Sequence, residues 1–260
     1  MKDQLTQNSR FKYIYNLLKL DGEVKSKKLS EELSVSLMTI HRDLKEMEEK
    51  GYLELVHGGA IQKSDNNIEY PMFIKTSEFV EDKKKMGYYA RSLIKDGQSI
   101  FLETGSTPYF VARELIHLKK SVFYTNSMLI LNTLSRIEDL ELHTIAGKYR
   151  ELSNGFTGFE AIRNIQNYNF DICFIGIESI SSDGIVSLPN QEDAHTKMAV
   201  MNQSKKKVLV TDSTKFNKTS LYTIGYIKDF DYVITNLDVH SKVYTQIKEM
   251  NENLISIKEY

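Results

Sequence analysis

Apolar positions in the first sixty residues recur every three or four places and then switch to every second place. Phe11, Ile14, Leu17 and Leu18 lie at helical spacing over residues 8–20, with Asn8 or Ser9 as the expected cap and Asp21-Gly22 as the closing turn. Ser26 is placed to cap a second helix that turns Leu29 and Leu33 inward. Only Ser34-Val35-Ser36 separates it from a third run, in which Leu37, Ile40, Leu44 and Met47 form one stripe behind a Ser36 cap and Gly51 is the stop. Tyr52–Val56 then alternates as a strand does, Gly58-Gly59 turns the chain, and Ala60-Ile61-Gln62 returns. Two short helices joined by a three-residue turn predict a helix-turn-helix, whose second helix enters the major groove of duplex DNA; the hairpin predicts a wing. Residues 1–62 are therefore expected to form a winged helix-turn-helix and 63–77 a polar linker.

Beyond residue 78 the pattern changes. A helix over about 80–94 leads to Asp96-Gly97 and the strand 99–102. Strands are expected at 121–125, 140–145, 170–176, 207–211, 232–235 and 254–257, and helices at 108–117, 127–135, 158–166, 193–203 and 241–250. That alternation predicts an α/β domain over 78–260, with a largely parallel sheet covered on both faces. Neither an internal repeat nor a low-complexity tract interrupts it.

Composition narrows the function classes. With 34 basic and 35 acidic residues the net charge is −1, so contact with DNA must come from a local patch. A single cysteine, Cys173, excludes an intramolecular disulfide and argues against a cysteine zinc site; its apolar setting makes it a core residue. The six histidines are scattered without metal-binding spacing, and no metal or cofactor is expected. No apolar run approaches the roughly 18 residues that span a bilayer, and Met1-Lys2-Asp3-Gln4 opens no signal peptide, so a cytoplasmic protein is expected.

The residues carrying chemistry fall into two groups. On the third helix, the face opposite the apolar stripe shows Ser36, Met38, Thr39, His41, Arg42 and Lys45: cations for phosphates and short polar groups for base edges. His57, Gly58 and Gly59 form the wing tip. In the second half, Glu103-Thr104-Gly105-Ser106-Thr107 runs from a strand into a helix. A glycine with two hydroxyls at such a place can cradle an anion or simply cap a turn. Thr125-Asn126-Ser127 has the same context, and both loops lie at strand carboxyl ends, where ligands collect in parallel sheets. Asp212 and Lys215, after strand 207–211, can hold sugar hydroxyls and a phosphate, or form a solvated turn. Glu192 and Lys197 belong to a polar cluster opening a helix, where acids suit the helix dipole.

Val35-Ser36-Leu37-Met38-Thr39-Ile40-His41-Arg42-Asp43-Leu44, followed by Gly51 and His57-Gly58-Gly59-Ala60, resembles the DeoR family of bacterial sugar-metabolism regulators. His41 stands where the family has arginine, and Leu55 where a basic residue commonly precedes H-G-G-A. The resemblance continues through Lys83, Met86, Ala90, Asp96-Gly97, Gly105-Ser106-Thr107, Thr125-Asn126-Ser127, Gly176, Gly184, Glu192, Ala194, Lys197 and Asp212–Phe216, with Glu103 replacing an aspartate. It implies a sensor domain of ribose-5-phosphate-isomerase-like fold, operator DNA and a phosphorylated sugar as partners, and repression relieved by the effector; a homo-oligomer is expected because two recognition helices are needed to read half-sites about one helical turn apart. The rival reading is an isomerase-like enzyme. Against it, Gly176-Ile177-Glu178-Ser179-Ile180-Ser181 keeps one carboxylate of that acidic motif and no glycine-rich loop follows. The chain is expected not to be an enzyme.

Overall fold

The computed structural model describes residues 6–63, 69–116, 118 and 120–259, and it divides into two units, Met1–Ser77 and Glu78–Tyr260. Met1–Gln4, residues 64–68 of the expected linker and position 117 of the expected 108–117 helix lie outside the described residues.

In the first unit, α1 (Gln7–Asp21) is capped by Thr6 rather than Asn8 or Ser9; the Thr6 hydroxyl accepts the Ser9 amide. A three-residue strand, β1 (Glu23–Lys25), follows Gly22. α2 (Ser26–Leu33) begins at Ser26, so that residue is not its cap; the Ser26 amide instead donates to the Gly58 carbonyl at 2.8 Å, tying the helix to the hairpin turn. α3 (Leu37–Glu49) follows, with the Ser36 hydroxyl accepting the Thr39 amide at 3.1 Å as expected of its cap. β2 (Leu53–Val56) and β3 (Gly59–Gln62) form the hairpin, and β1 adds to it antiparallel, in the order β1-β3-β2. The core joins Phe11, Ile14 and Leu18 of α1 to Leu29 of α2 and to Ile40, Leu44 and Met47 of α3.

Two expectations change here. Leu37 is not a core residue: it is 46% exposed, and Asp43 takes the fourth buried position of α3. Its carboxylate meets the Arg10 guanidinium in two bonds, 2.5 and 3.0 Å, which pins α3 to α1. Residues 70–77 are not linker either. The short helix α4 (Met72–Lys75) puts Ile74, fully buried, into the same core, and the Tyr70 ring packs 4.7 Å from Tyr15.

The second unit runs α5 (Val80–Ser92), β4 (Ser99–Leu102), α6 (Ser106–Glu114), β5 (Val122–Thr125), α7 (Met128–Leu134), β6 (Glu141–Thr144), β7 (Lys148–Arg150), β8 (Gly155–Thr157), α8 (Phe159–Ile165), β9 (Phe170–Ile175), β10 (Ser179–Ile180), β11 (Ile185–Leu188), α9 (Gln191–Asn202), β12 (Ser204–Thr211), β13 (Tyr222–Tyr226), β14 (Tyr232–Thr235), α10 (Lys242–Met250) and β15 (Leu254–Ser256). Seven strands pair in parallel, in the order β15-β14-β12-β9-β4-β5-β6. Strand residues alternate between two cores, as period two requires. Phe101, Cys173, Leu209 and Val233 pack towards α9 and α10, while Leu102, Phe174, Val208 and Val210 pack towards α5, α6 and α7. Burial pushes the Cys173 thiol up to about 12, which makes it an inert core residue. The antiparallel sheet β10-β11-β13 and the hairpin β7-β8 were not expected from the pattern. The strand order sets the carboxyl ends of β12, β9, β4 and β5 side by side.

Candidate functional site

The solvent face of α3 follows from its core face. With Ile40, Asp43, Leu44 and Met47 buried, Met38, His41, Arg42 and Lys45 emerge together as one exposed stripe. Thr39 is half-buried, its hydroxyl 2.9 Å from that of Ser36. The acids of the same helix are held by their own unit. Asp43 binds Arg10, Glu46 binds Lys50 and Gln7 at 2.9 and 2.8 Å, and Glu48 accepts the Leu55 amide at 2.9 Å. Lys45 reaches Glu49 only at 3.9 Å with both side chains largely exposed, a pairing worth little in water. The stripe is thus net positive although the chain is not. His57 and Gly58 are exposed at the wing tip, with Gly58 at φ 79°, where a glycine is favoured. Gly59 is buried: a Cβ there would lie 1.9 Å from the Val24 carbonyl oxygen. It lets β1 approach the hairpin and leaves the expected DNA-contacting set.

At the carboxyl edge of the parallel sheet, the residues after β4 and β5 meet α9. Glu103 is fully buried. It accepts from the Thr104 hydroxyl at 2.8 Å, from the Asn126 amide at 3.1 Å and from the Lys197 ammonium. Lys197 also donates to the Thr104 carbonyl at 3.0 Å. Glu103, Asn126 and Lys197 are therefore one buried cluster, joined by Thr104, which the sequence reading passed over. Thr125 and Ser127 serve the scaffold. The first donates to the Leu102 carbonyl at 2.7 Å, and the second caps α7. Gly105, at φ 152°, opens α6 without any side-chain cap, and a Cβ there would sit 2.9 Å from Pro108. Ser106 and Thr107 occupy the first turn, half-buried and buried. The amides of that turn remain available to an anion.

Asp212 and Lys215 form a second cluster, on the α5 side. The Asp212 carboxylate lies 3.9 Å from Lys83 and accepts the Thr214 amide and hydroxyl. Lys215 donates to Glu178 at 2.8 Å. Burial lowers the Lys83 pKa to about 8 in spite of Asp212. Burial also opposes the charge of Lys215, but Glu178 and Asp212 outweigh it and the pKa is raised. Lys83 was read only as part of the family pattern; no periodicity marks it as a partner of Asp212.

Glu192 joins neither cluster. It is bound by Lys148 of β7 at 3.0 Å, and the neighbouring Asp193 by Arg150 at 2.7 Å. These pairs strap the β7-β8 hairpin to the start of α9. The Phe156 amide donates to the Asn126 carbonyl at 2.7 Å, and a Cβ on Gly155 would lie 2.3 Å from the Thr104 methyl, so the strap closes directly over the Glu103 cluster. Lys83, Lys148, Arg150, Lys197 and Lys215 each face a carboxylate across this edge.

No helix among the described residues is long and apolar enough to cross a membrane. The model of the DeoR C terminal sensor domain matches residues 78–237, and that of the DeoR-like helix-turn-helix domain matches residues 10–66. The glycerol-3-phosphate regulon repressor of Escherichia coli (strain K12) is 30% identical over 232 residues, covering 89% of this chain and 92% of its own length. The lactose phosphotransferase system repressor of Staphylococcus epidermidis is 30% identical over 244 residues, covering 92% and 96%. Among solved structures, ribose 5-phosphate isomerase A from Methanocaldococcus jannaschii aligns over 53% of this chain and 54% of its own, with 20% identity and a TM-score of 0.39. With both of its parts matched and full-length repressors among its relatives, the chain belongs to the DeoR family of DNA-binding transcriptional regulators.

Proposed function

We propose that the protein represses a carbohydrate-metabolism operon from the cytoplasm. A homo-oligomer places copies of α3 in successive major grooves and the wing tips beside them, since half-sites lie about one helical turn apart. A phosphorylated sugar or sugar alcohol binds at the carboxyl edge of the sensor sheet, over Gly105-Ser106-Thr107, with the Glu103–Asn126–Lys197 and Asp212–Lys215 clusters beside it. Relatives named for glycerol-3-phosphate and for a lactose phosphotransferase system support that ligand class.

The observation that carries the reading is the pairing of five cations with five carboxylates along this edge. An arriving phosphate competes for those cations, releases carboxylates and reorganises the contacts of α9 and the strap. That is a differential interaction with two states, which an effector needs in order to shift an equilibrium. The same observation supports a switch over an isomerase. Both Glu103 oxygens are occupied by donors, so the carboxylate is not poised to take a proton from a substrate.

The test is a salt-titrated anisotropy measurement on duplex DNA from the protein's own upstream region. Affinity falls steeply with salt, and Arg42→Ala weakens binding and lowers the salt slope by about one. Members of a sugar-phosphate panel release the DNA, and Ser106→Ala requires about tenfold more of the active compound, the worth of one charge-assisted hydrogen bond. Binding that ignores both salt and Arg42 overturns the reading of α3. Release unaffected by Ser106→Ala overturns the cradle.

A further inference from the structure

The recognition helix carries a chemistry that its charges do not use. Its first two residues are apolar and solvent-facing: Leu37 is 46% exposed and Met38 is 81% exposed. Neither closes the core of the unit, which Ile40, Leu44 and Met47 complete from the opposite stripe. Two such side chains at one helix end cost solubility unless something apolar meets them there.

Position decides what that something is. In helix-turn-helix docking the N-terminal residues of the second helix meet base edges, while cations further along reach phosphates. Arg42 and Lys45 follow Met38 on the same exposed stripe at the spacing of successive turns, so a groove that receives the cations also receives Met38. The polar groups of the first turn are already engaged: Ser36 caps the helix, and its hydroxyl lies 2.9 Å from that of Thr39. The major groove offers one methyl group to an apolar reader, the 5-methyl of thymine. An unbranched thioether can follow that methyl without demanding one geometry.

We propose that Leu37 and Met38 read thymine methyl groups, with Met38 the specificity-determining residue, so that the half-site carries thymine opposite the first turn of α3. This rests on α3 being the DNA-reading helix.

Selection of randomised duplexes on the full-length protein yields the preferred half-site. Each thymine is then replaced singly by deoxyuridine, which removes the methyl and keeps the pairing. Wild-type protein binds about fourfold more weakly at the methyl that Met38 covers, the worth of one buried methyl-sized group. Met38→Ala, a change at an exposed position that leaves the thermal midpoint in place, binds the two forms equally. Deoxyuridine tolerated at every position overturns the proposal, as does a loss of equal size in wild type, Leu37→Ala and Met38→Ala. If Met38→Ala instead dissociates the oligomer in sedimentation, the patch is a subunit contact and the proposal falls. Selection that enriches no sequence overturns the DNA reading of α3 as well, whereas tight salt-dependent binding that ignores the methyls overturns the methyl reading alone.

Discussion

Lys83 has the clearest electrical consequence of any single residue. It is 1% exposed, and burial brings its pKa down from 10.5 to about 8. Between those values the unfolded chain holds a proton that the folded chain has given up, so stability rises with pH across that window. The penalty of charging a buried amine is present in full below pH 8 and fades towards 10.5. Denaturant unfolding of wild type and Lys83→Met at about pH 7.5 and about pH 10.5 measures it. Wild type gains roughly 2–3 kcal/mol on the variant over that interval. A difference that does not change with pH would mean that the amine keeps its ordinary pKa in the folded chain. Legibility at this scale depends on whether a residue's partner is near in sequence. Glu103 and Asn126 were visible because each follows a strand, and Lys197 because it belongs to the polar cluster that opens α9. Their bonding was not, because Glu103 and Lys197 are 94 positions apart. Arg10 and Asp43, 33 apart, gave no sign of their pairing; Asp43 read only as part of the family pattern.

At the scale of elements, the two adjacent glycines of the wing do different work. Gly58 adopts a left-handed turn, whereas Gly59 clears the path of β1. Gly58→Ala therefore costs about 1 kcal/mol of backbone strain and leaves the sheet intact. Gly59→Ala forces β1 away from β3, costing roughly 1–3 kcal/mol, and it weakens DNA binding by moving the wing relative to α3. Thermal unfolding and anisotropy on the two variants separate these effects; equal losses in both would deny β1 its role. The long elements of the chain were legible because their apolar period repeats. The seven-stranded sheet and its covering helices fall where alternation placed them. What escaped was short: β1, α4, the β7-β8 hairpin and the β10-β11-β13 sheet have two to five residues per element, too few to repeat a period. Yet the strap over the Glu103 cluster is one of them, so the most local part of the candidate site was the least readable.

For the molecule as a whole, each unit closes its own core, and the boundary falls later than polarity alone implied. Residues 70–77 lack charge runs and glycine signals, but four helical residues cannot display a face, and only the packed structure shows Ile74 at 0% exposure. A fragment of residues 1–77 is expected to unfold cooperatively by itself. One ending at residue 68 loses the burial of Met72 and Ile74 and is less stable by roughly 3–5 kcal/mol. Equal midpoints for the two fragments would return α4 to the linker. The strand order adds a consequence in time. β9 lies between β4 and β12, so the carboxyl edge of the sheet needs pairings between residues 100 and 172 and between 172 and 206 before it exists. The core of the first unit draws on residues up to Ile74. At ordinary rates of translation the remaining stretch of about 180 residues takes about ten to forty seconds to appear. For that interval every newly made copy has its helix-turn-helix domain before its sensor domain, and a ligand of the second unit has as yet nothing to act on.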